Sequence, residues 1–212
     1  MLEVKKFVVN PLQENTFLLF DESKECIIVD AGFYYGEEED EVDYFIERNE
    51  LKLKKLVNTH CHFDHMMGVE YLREKYQVDF EAHSDDAFWV DKVVDQALRF
   101  GFEMKPVKPI DRFISEKETV SFGNTELKII HVPGHSPGHV VLYSEKESIL
   151  IGGDVLFYGS IGRTDLPGGD YDTLINGIKS KLFPLPDETV VYCGHGPETT
   201  IGFEKKNNPF LT

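Results

Sequence analysis

Four short apolar runs in this chain each end in residue types that bind metals, and that recurrence restricts the fold more than any other feature. Lys55-Leu56-Val57-Asn58-Thr59 leads to His60, His62, Asp64 and His65. Leu127-Lys128-Ile129-Ile130 leads to His135, Ser148–Gly153 to Asp154, and Thr189–Gly194 to His195. Strands that deliver ligands from their ends need a sheet edge on which those ends meet. Seven imidazoles and carboxylates gathered there can hold two metal ions, and such a pair makes hydroxide from water at neutral pH. The pattern points to a hydrolase.

Spacing sharpens that expectation. His60 and His62 are two apart, so an extended backbone turns them to the same side. Asp64 and His65 are adjacent and must turn in different directions, which suits two ions rather than one. His135, Asp154 and His195 complete both shells, with the Asp154 carboxylate as the bridge. Gly134, Gly138, Gly152, Gly153, Gly194 and Gly196 flank these distant ligands, letting backbone and substrate come close. All donors are nitrogen or oxygen, so two divalent ions are expected, zinc ranking first and iron or manganese compatible.

Other residues are expected to serve packing. His83, His131 and His139 fit hydrogen bonding behind the ligands rather than ligation. Cys61 lies between two metal-facing positions, so alternation sends its sulfur away; Cys193 fills a strand core, and no basic neighbour in sequence activates either thiol. Arg163 and Asp165 suit an ion pair that fixes their loop, in preference to a substrate-carboxylate contact by Arg163. Phe157 and Tyr158 fit either a cleft wall or packing, and Phe88-Trp89 either core or substrate mouth.

At 212 residues the chain reads as a single domain, 1–212, able to bury a sizeable core. Its 38 acids against 22 bases give a net charge of −16, which repels phosphate backbones and argues against nucleic acid as a partner. The start Met1-Leu2-Glu3-Val4-Lys5-Lys6 has no uninterrupted apolar region of signal-peptide length, no later stretch approaches a membrane span, and three cysteines are too few and too scattered for an expected disulfide framework. A cytoplasmic protein is expected.

Periodicity predicts strands at Leu2–Val9, Asn15–Phe20 and Cys26–Asp30, with Asp21-Glu22-Ser23-Lys24 as a hairpin turn. Helices are predicted at Glu37–Leu51 (apolar side Val42, Phe45, Ile46), Gly68–Tyr76 and Asp85–Leu98. In the last, Val90, Val93, Val94, Ala97 and Leu98 fall at i, i+3, i+4, i+7 and i+8, and Gly101 stops it. Strands resume at Thr119–Phe122, Leu127–His131, Val140–Ser144 and Ser148–Gly152; a helix at Tyr171–Leu182 precedes a strand at Thr189–Cys193. A strand cluster followed by helices thus occurs twice. Two sheets packed face to face with helices on the outer faces accommodate every element.

The run Thr59-His60-Cys61-His62-Phe63-Asp64-His65 resembles the signature of the metallo-β-lactamase superfamily. Gly134-His135-Ser136-Pro137-Gly138, Gly153-Asp154 and Gly194-His195-Gly196 resemble its later motifs. The resemblance implies an α/β fold of the four-layer αββα sandwich type. It implies one ion on His60, His62 and His135, the other on Asp64, His65 and His195, and Asp154 between them. Ser160–Asp165, Thr200–Glu204 and Asn208-Pro209-Phe210 look most like the short glyoxalase II-like hydrolases, thioesterases of the hydroxyacylglutathione type. Superfamily β-lactamases usually lack a bridging aspartate at the position of Asp154, which disfavours that activity. Full-length glyoxalase II enzymes add a helical domain that grips glutathione, whereas only Gly196–Thr212 follows the last ligand here. Weak discrimination for glutathione is the expectation.

The resemblance therefore implies hydrolysis of a small-molecule thioester by attack of a metal-bound hydroxide, with Asp64 orienting the water or accepting its proton. The alternative is a persulfide dioxygenase on the same scaffold, with a single iron on His60, His135 and Asp154. A di-iron electron-transfer domain also shares the scaffold, but usually replaces one imidazole by carboxylate and is joined to a flavin domain.

Overall fold

Two antiparallel and three parallel pairings set the first sheet. β1 (Glu3–Val9) and β2 (Glu14–Phe20) form a hairpin with Val9 opposite Glu14, and β3 (Glu25–Val29) pairs antiparallel to β2. The turn at Asp21–Lys24 forms as expected: Lys24 takes φ 68° and its N–H donates to the Asp21 carbonyl. From β3 onward the strands are parallel, through β4 (Lys52–Val57), β5 (Asp79–His83) and β6 (Arg112–Ile114), in the order β1-β2-β3-β4-β5-β6. Parallel strands put their carboxyl ends on one edge, the usual place for a site in such a sheet. Asp30, the run Asn58–His65 and the run His83–Asp86 all leave from that edge.

The computed structural model describes residues 1–212. They form two compact units, Met1–Ile114 with Ser121–Thr125, and Ser115–Val120 with Glu126–Thr212. In the first, α1 (Gly36–Arg48) and α2 (Val69–Tyr76) cover one sheet face. Val42 and Ile46 of α1 and Val69 and Leu72 of α2 pack with Leu18, Ile28, Leu56 and Phe80 of the strands. Each such side chain contributes about 1.5–3 kcal/mol relative to exposure. Alternation sends Phe17, Leu19, Ile27, Val29 and Val57 to the other face, where they too are buried.

The predicted helix at Asp85–Leu98 is not continuous. A short 3₁₀ turn at Ser84–Asp86 precedes α3 (Ala87–Asp91), and α4 (Val93–Arg99) restarts after Lys92, whose φ of −106° and ψ of 6° break the ladder. The break shifts the helical phase. Val90, Val93 and Ala97 remain buried, but Leu98 is 65% exposed. Gly101 does end α4: at φ +84° it closes a Schellman motif, with Phe102 N–H donating to Ala97 O and Gly101 N–H to Leu98 O.

The second sheet, which apart from Ser121, Phe122 and Thr125 belongs to the second unit, is made of β7 (Thr119–Phe122), β8 (Thr125–His131), β9 (Val140–Ser144), β10 (Ile149–Gly153), β13 (Val190–Cys193) and β14 (Thr199–Thr200). Its order is β14-β13-β10-β9-β8-β7, with β10 and β13 parallel. A two-stranded hairpin, β11 (Leu156–Phe157) with β12 (Ser160–Ile161), follows β10. The predicted helix at Tyr171–Leu182 is α-helical only as α5 (Tyr171–Gly177). Ile178–Leu182 widens to a π turn in which Phe183 N–H donates to Ile178 O. α6 (Ile201–Asn207) follows β14, and Leu174, Ile178 and Ile201 pack with Val141, Leu150 and Val191 of the sheet.

Candidate metal centre

In the first unit the ligand run is an irregular segment held by buried side chains. Asp30, just past β3 and fully buried, accepts from Thr59 N–H and Thr59 Oγ1, each at 2.7 Å. Asn58 Nδ2 donates to the carbonyls of His60 and His65 at 3.1 and 2.9 Å. Asp86 accepts from Cys61 N–H at 2.9 Å, and Gln96 Oε1 from Phe63 N–H at 2.9 Å. Asn10 Nδ2 donates to the carbonyls of Gly32 and Asp64. Five side chains from five segments therefore satisfy a backbone that has no regular ladder. His62 stays extended, and the 3₁₀ turn at Phe63–His65 does not part Asp64 and His65 as their adjacency suggested: their donor atoms stay on the same side of the run.

The imidazoles of this run converge. His60 lies 4.7 Å from His62 and 4.1 Å from His65, ring centre to ring centre, and all three are buried. His65 Nδ1 faces Asp30 Oδ2 at 3.1 Å, and its Nε2 lies 4.0 Å from Asp64 Oδ2. A carboxylate facing Nδ1 favours the proton there and leaves Nε2 with its lone pair, the state a metal requires. Glu14 is also fully buried beside His65, and burial pushes its carboxyl well above the usual carboxylate range.

In the second unit, His135, Asp154 and His195 lie on the loops after β8, β10 and β13. Asp154 Oδ2 stands 3.6 Å from His135 Nε2 and 3.7 Å from His195 Nε2. His135 Nδ1 donates to the Arg163 carbonyl at 2.8 Å, so the lone pair is on Nε2, the atom turned to Asp154. His139, fully buried, accepts the Asp154 N–H on Nε2 at 3.0 Å and thereby holds that residue from behind. Gly162 is obligatory here: a Cβ on it would stand 1.8 Å from the Asp154 carbonyl oxygen.

These residues fit divalent metals. Two donors bound to one ion at about 2.0–2.2 Å are roughly 3–3.5 Å apart, and the two imidazole-to-carboxylate distances in the second unit lie just above that. Three buried imidazoles in mutual contact could not all be protonated without strong repulsion, whereas neutral rings suit ligation. The donors are nitrogen and oxygen throughout, with no thiolate available. Cys61 and Cys193 lie in the helix-covered cores, and burial raises the Cys61 thiol well above its ordinary value and the Cys193 thiol to about 12.

The remaining candidates fall into place. His131 Nε2 meets the Pro137 carbonyl at 2.7 Å, and His83 Nδ1 accepts the Asp85 N–H. Arg163 forms a bidentate ion pair with Asp165 at 2.7 and 2.8 Å, which holds the Asp165 carboxyl down to about 2. Trp89 is core and sits 5.0 Å from the His62 ring; Phe157 is 6.4 Å from the His195 ring, and Tyr158 stacks on Phe203. Sequence reasoning passed over Glu14, Asp30, Asp86 and Gln96. The signal available for Asp30 was an acid directly after an apolar strand. For Glu14, an acid at the start of an apolar strand, nothing in the pattern marked it as buried.

Comparison with known proteins adds the following. The family model described as the metallo-beta-lactamase superfamily matches residues 9–195. The hydroxyacylglutathione hydrolase GloC of Haemophilus influenzae is 39% identical over 212 residues, covering 99% of this chain and 98% of that protein. Among solved structures, BLEG-1, named a B3 metallo-beta-lactamase, is 37% identical with a TM-score of 0.91, covering 99% of this chain and 100% of that one. TTHA1623, described in a di-iron-bound form, is 34% identical with a TM-score of 0.88, covering 98% and 100%. The fold class is the αββα sandwich expected from the sequence.

Proposed function

Because the chain belongs to the metallo-β-lactamase superfamily, we propose that it is a dinuclear metallo-hydrolase acting on small hydroxyacyl thioesters. In this reading residues 1–212 are one hydrolase domain. His60, His62 and His135 hold one divalent ion, Asp64, His65 and His195 the other, and Asp154 is shared. The observation that carries the reading is Asp154 Oδ2, nearly equidistant from the Nε2 atoms of His135 and His195. A carboxylate between imidazoles assigned to different ions is what a bridging ligand requires.

Two divalent ions bound there supply Lewis acidity, lowering the pKa of water toward about 7 and polarising the acyl carbonyl. The protein's own residues do the rest. Asp64, half-buried while its neighbouring imidazoles are enclosed, orients the attacking water and accepts its proton. Asp30 and the Arg163 carbonyl hold His65 and His135 with Nε2 forward. The Asn58, Asp86 and Gln96 contacts keep the ligand run rigid, so little reorganisation accompanies reaction. A thiolate leaving group needs no acid, and no acid is assigned to it.

The 39% identity to a hydroxyacylglutathione hydrolase along nearly the whole of both chains supports the thioester. Zinc is the metal proposed first, and the di-iron form of a relative keeps iron in the comparison. No helix is long and apolar enough to cross a membrane. With three free buried cysteines and an acidic surface, a cytoplasmic enzyme without nucleic-acid or membrane partners is the proposal. BLEG-1 brings a lactam amide as a second substrate class.

The test is metal analysis of the purified protein followed by three assays: thiol release from S-lactoylglutathione, hydrolysis of a chromogenic cephalosporin, and oxygen uptake on glutathione persulfide. Two ions per chain with thiol release as the fastest reaction is expected. One iron with oxygen uptake would replace the hydrolase reading by the dioxygenase. Faster lactam than thioester turnover would replace the substrate.

A further inference from the structure

One buried acid has no role in the hydrolysis just described. Glu14 opens β2 with its side chain fully buried, and Thr16, two residues on and so on the same side of the strand, donates its hydroxyl to Glu14 Oε2 at 2.8 Å. Thr16 Oγ1 in turn accepts the Gly32 N–H at 3.0 Å. Gly32 is shaped to this carboxyl: a Cβ there would stand 2.2 Å from Glu14 Oε2 and 2.5 Å from the Asp64 carbonyl oxygen. One oxygen is therefore fastened. The other, Oε1, is buried, makes no hydrogen bond, and lies 3.6 Å from His65 Nδ1.

Leaving a buried polar oxygen without a hydrogen bond costs about 1–3 kcal/mol, so a purely structural position would favour an apolar residue. What Oε1 gains is proximity to a polarised N–H. His65 Nδ1 faces two carboxyl oxygens, Asp30 Oδ2 at 3.1 Å and Glu14 Oε1 at 3.6 Å. Two carboxyl oxygens facing one ring nitrogen favour, by electrostatic attraction, the proton at Nδ1 over Nε2 and penalise a flipped or rotated ring.

We propose that Glu14 is a positioning residue for His65, fixing its Nδ1–H tautomer and ring orientation so that Nε2 is presented to the ion it holds. The proposal rests on the reading of His65 as a metal ligand. It makes the effect of Glu14 selective: the ion on Asp64, His65 and His195 feels it, and the ion on His60, His62 and His135 does not.

The experiment uses the metal-loaded protein and two readouts that need no substrate. Release of metal to a chromogenic chelator is followed in wild type, Glu14→Gln and Glu14→Ala. Imidazole N–H signals are recorded by ¹⁵N-edited NMR, with His65 assigned from His65→Asn. In Glu14→Gln, which keeps the volume and the Thr16 contact, one of the two release phases is expected to quicken about tenfold or more. The other stays within about twofold. The wild-type His65 Nδ1–H should exchange slowly with solvent, and faster in the variant. Both phases unchanged in Glu14→Gln, with only a lower melting temperature in Glu14→Ala, would reduce Glu14 to a space-filling residue. A wild-type His65 whose proton sits on Nε2 would overturn the proposal even if the variants fail to fold. A wild type that releases a single ion counts against the dinuclear reading alone, and the NMR readout still judges Glu14.

Discussion

Replacing Gly162 by alanine tests the geometry of the candidate centre with a single methyl group. The added Cβ would stand 1.8 Å from the Asp154 carbonyl oxygen and 3.1 Å from His135 Nδ1. Since Cβ contacts below 3.0 Å essentially do not occur, the chain at Asp154 and at Gly162 must separate by at least about 1.2 Å. Neither side yields easily. Gly162 N–H donates to Val155 O at 3.2 Å, Asp154 N–H is held by His139, and the neighbouring Arg163 carbonyl holds His135. Overpacking of this kind costs about 1–3 kcal/mol of stability. A displacement near 1 Å in the catalytic groups costs about 100-fold in rate. The assays are kcat/KM on the best thioester, metals per chain, and the urea midpoint. Expected results are a rate loss of about two orders of magnitude, a fall in bound metal, and a stability loss of a few kcal/mol at most. Gly36→Ala is the control, since nothing lies within 4 Å of its Cβ and its φ is not positive; it should match wild type. A Gly162→Ala protein with full metal content and an unchanged rate would refute the assignment of Asp154 and His135 to the centre.

Asp154→Ala should lose dinuclear binding, because two dications about 3.5–4 Å apart lose the anion that offsets their repulsion. Two ions per chain with normal turnover would refute the bridge. Asp21 accepts hydrogen bonds from Ser23 N–H, Ser23 Oγ, Asn124 N–H and Thr125 Oγ1, and the hydrogen bonds outweigh burial to hold its pKa below the ordinary value. A folded-state pKa below the unfolded one stabilises fully above about pH 4 and is lost as pH falls through the folded value. Urea midpoints from pH 6 to pH 3 should therefore fall more steeply in wild type than in Asp21→Asn, and parallel curves would contradict the assignment. All three cysteines are free and buried, and burial lifts the Cys26 and Cys193 thiols to about 12. A thiol reagent should label none of them in the native protein and three after denaturation, and stoichiometric native labelling would contradict this.

Much of the fold was readable from local pattern. Strand alternation in β1–β3, the stripe of Val42 and Ile46 in α1 and the stop at Gly101 each depend on neighbours within a few residues. Elements whose burial depends on distant partners were not readable. β5 contains Glu81, which looks like a surface residue but is buried with Lys55 at 3.3 Å and Arg112 at 3.4 Å. β6 has only three residues. The break at Lys92 left the apolar period intact in the sequence while moving Leu98 out into solvent.

The same division runs through the candidate centre. His60, His62, Asp64, His65, His135, Asp154 and His195 could be singled out as candidate ligands because donor chemistry and strand-end spacing are properties of the linear chain. The side chains that hold them are ordinary acids and amides. Glu14, Asp30, Asp86 and Gln96 come from separate segments, and each reaches the ligand run only through the fold. Sequence alone determined which atoms could bind metal, because those atoms belong to residue types. Tertiary structure decided which nitrogen of His65 and of His135 faces forward and which acids are buried, because hydrogen bonding and desolvation depend on what surrounds a group in space.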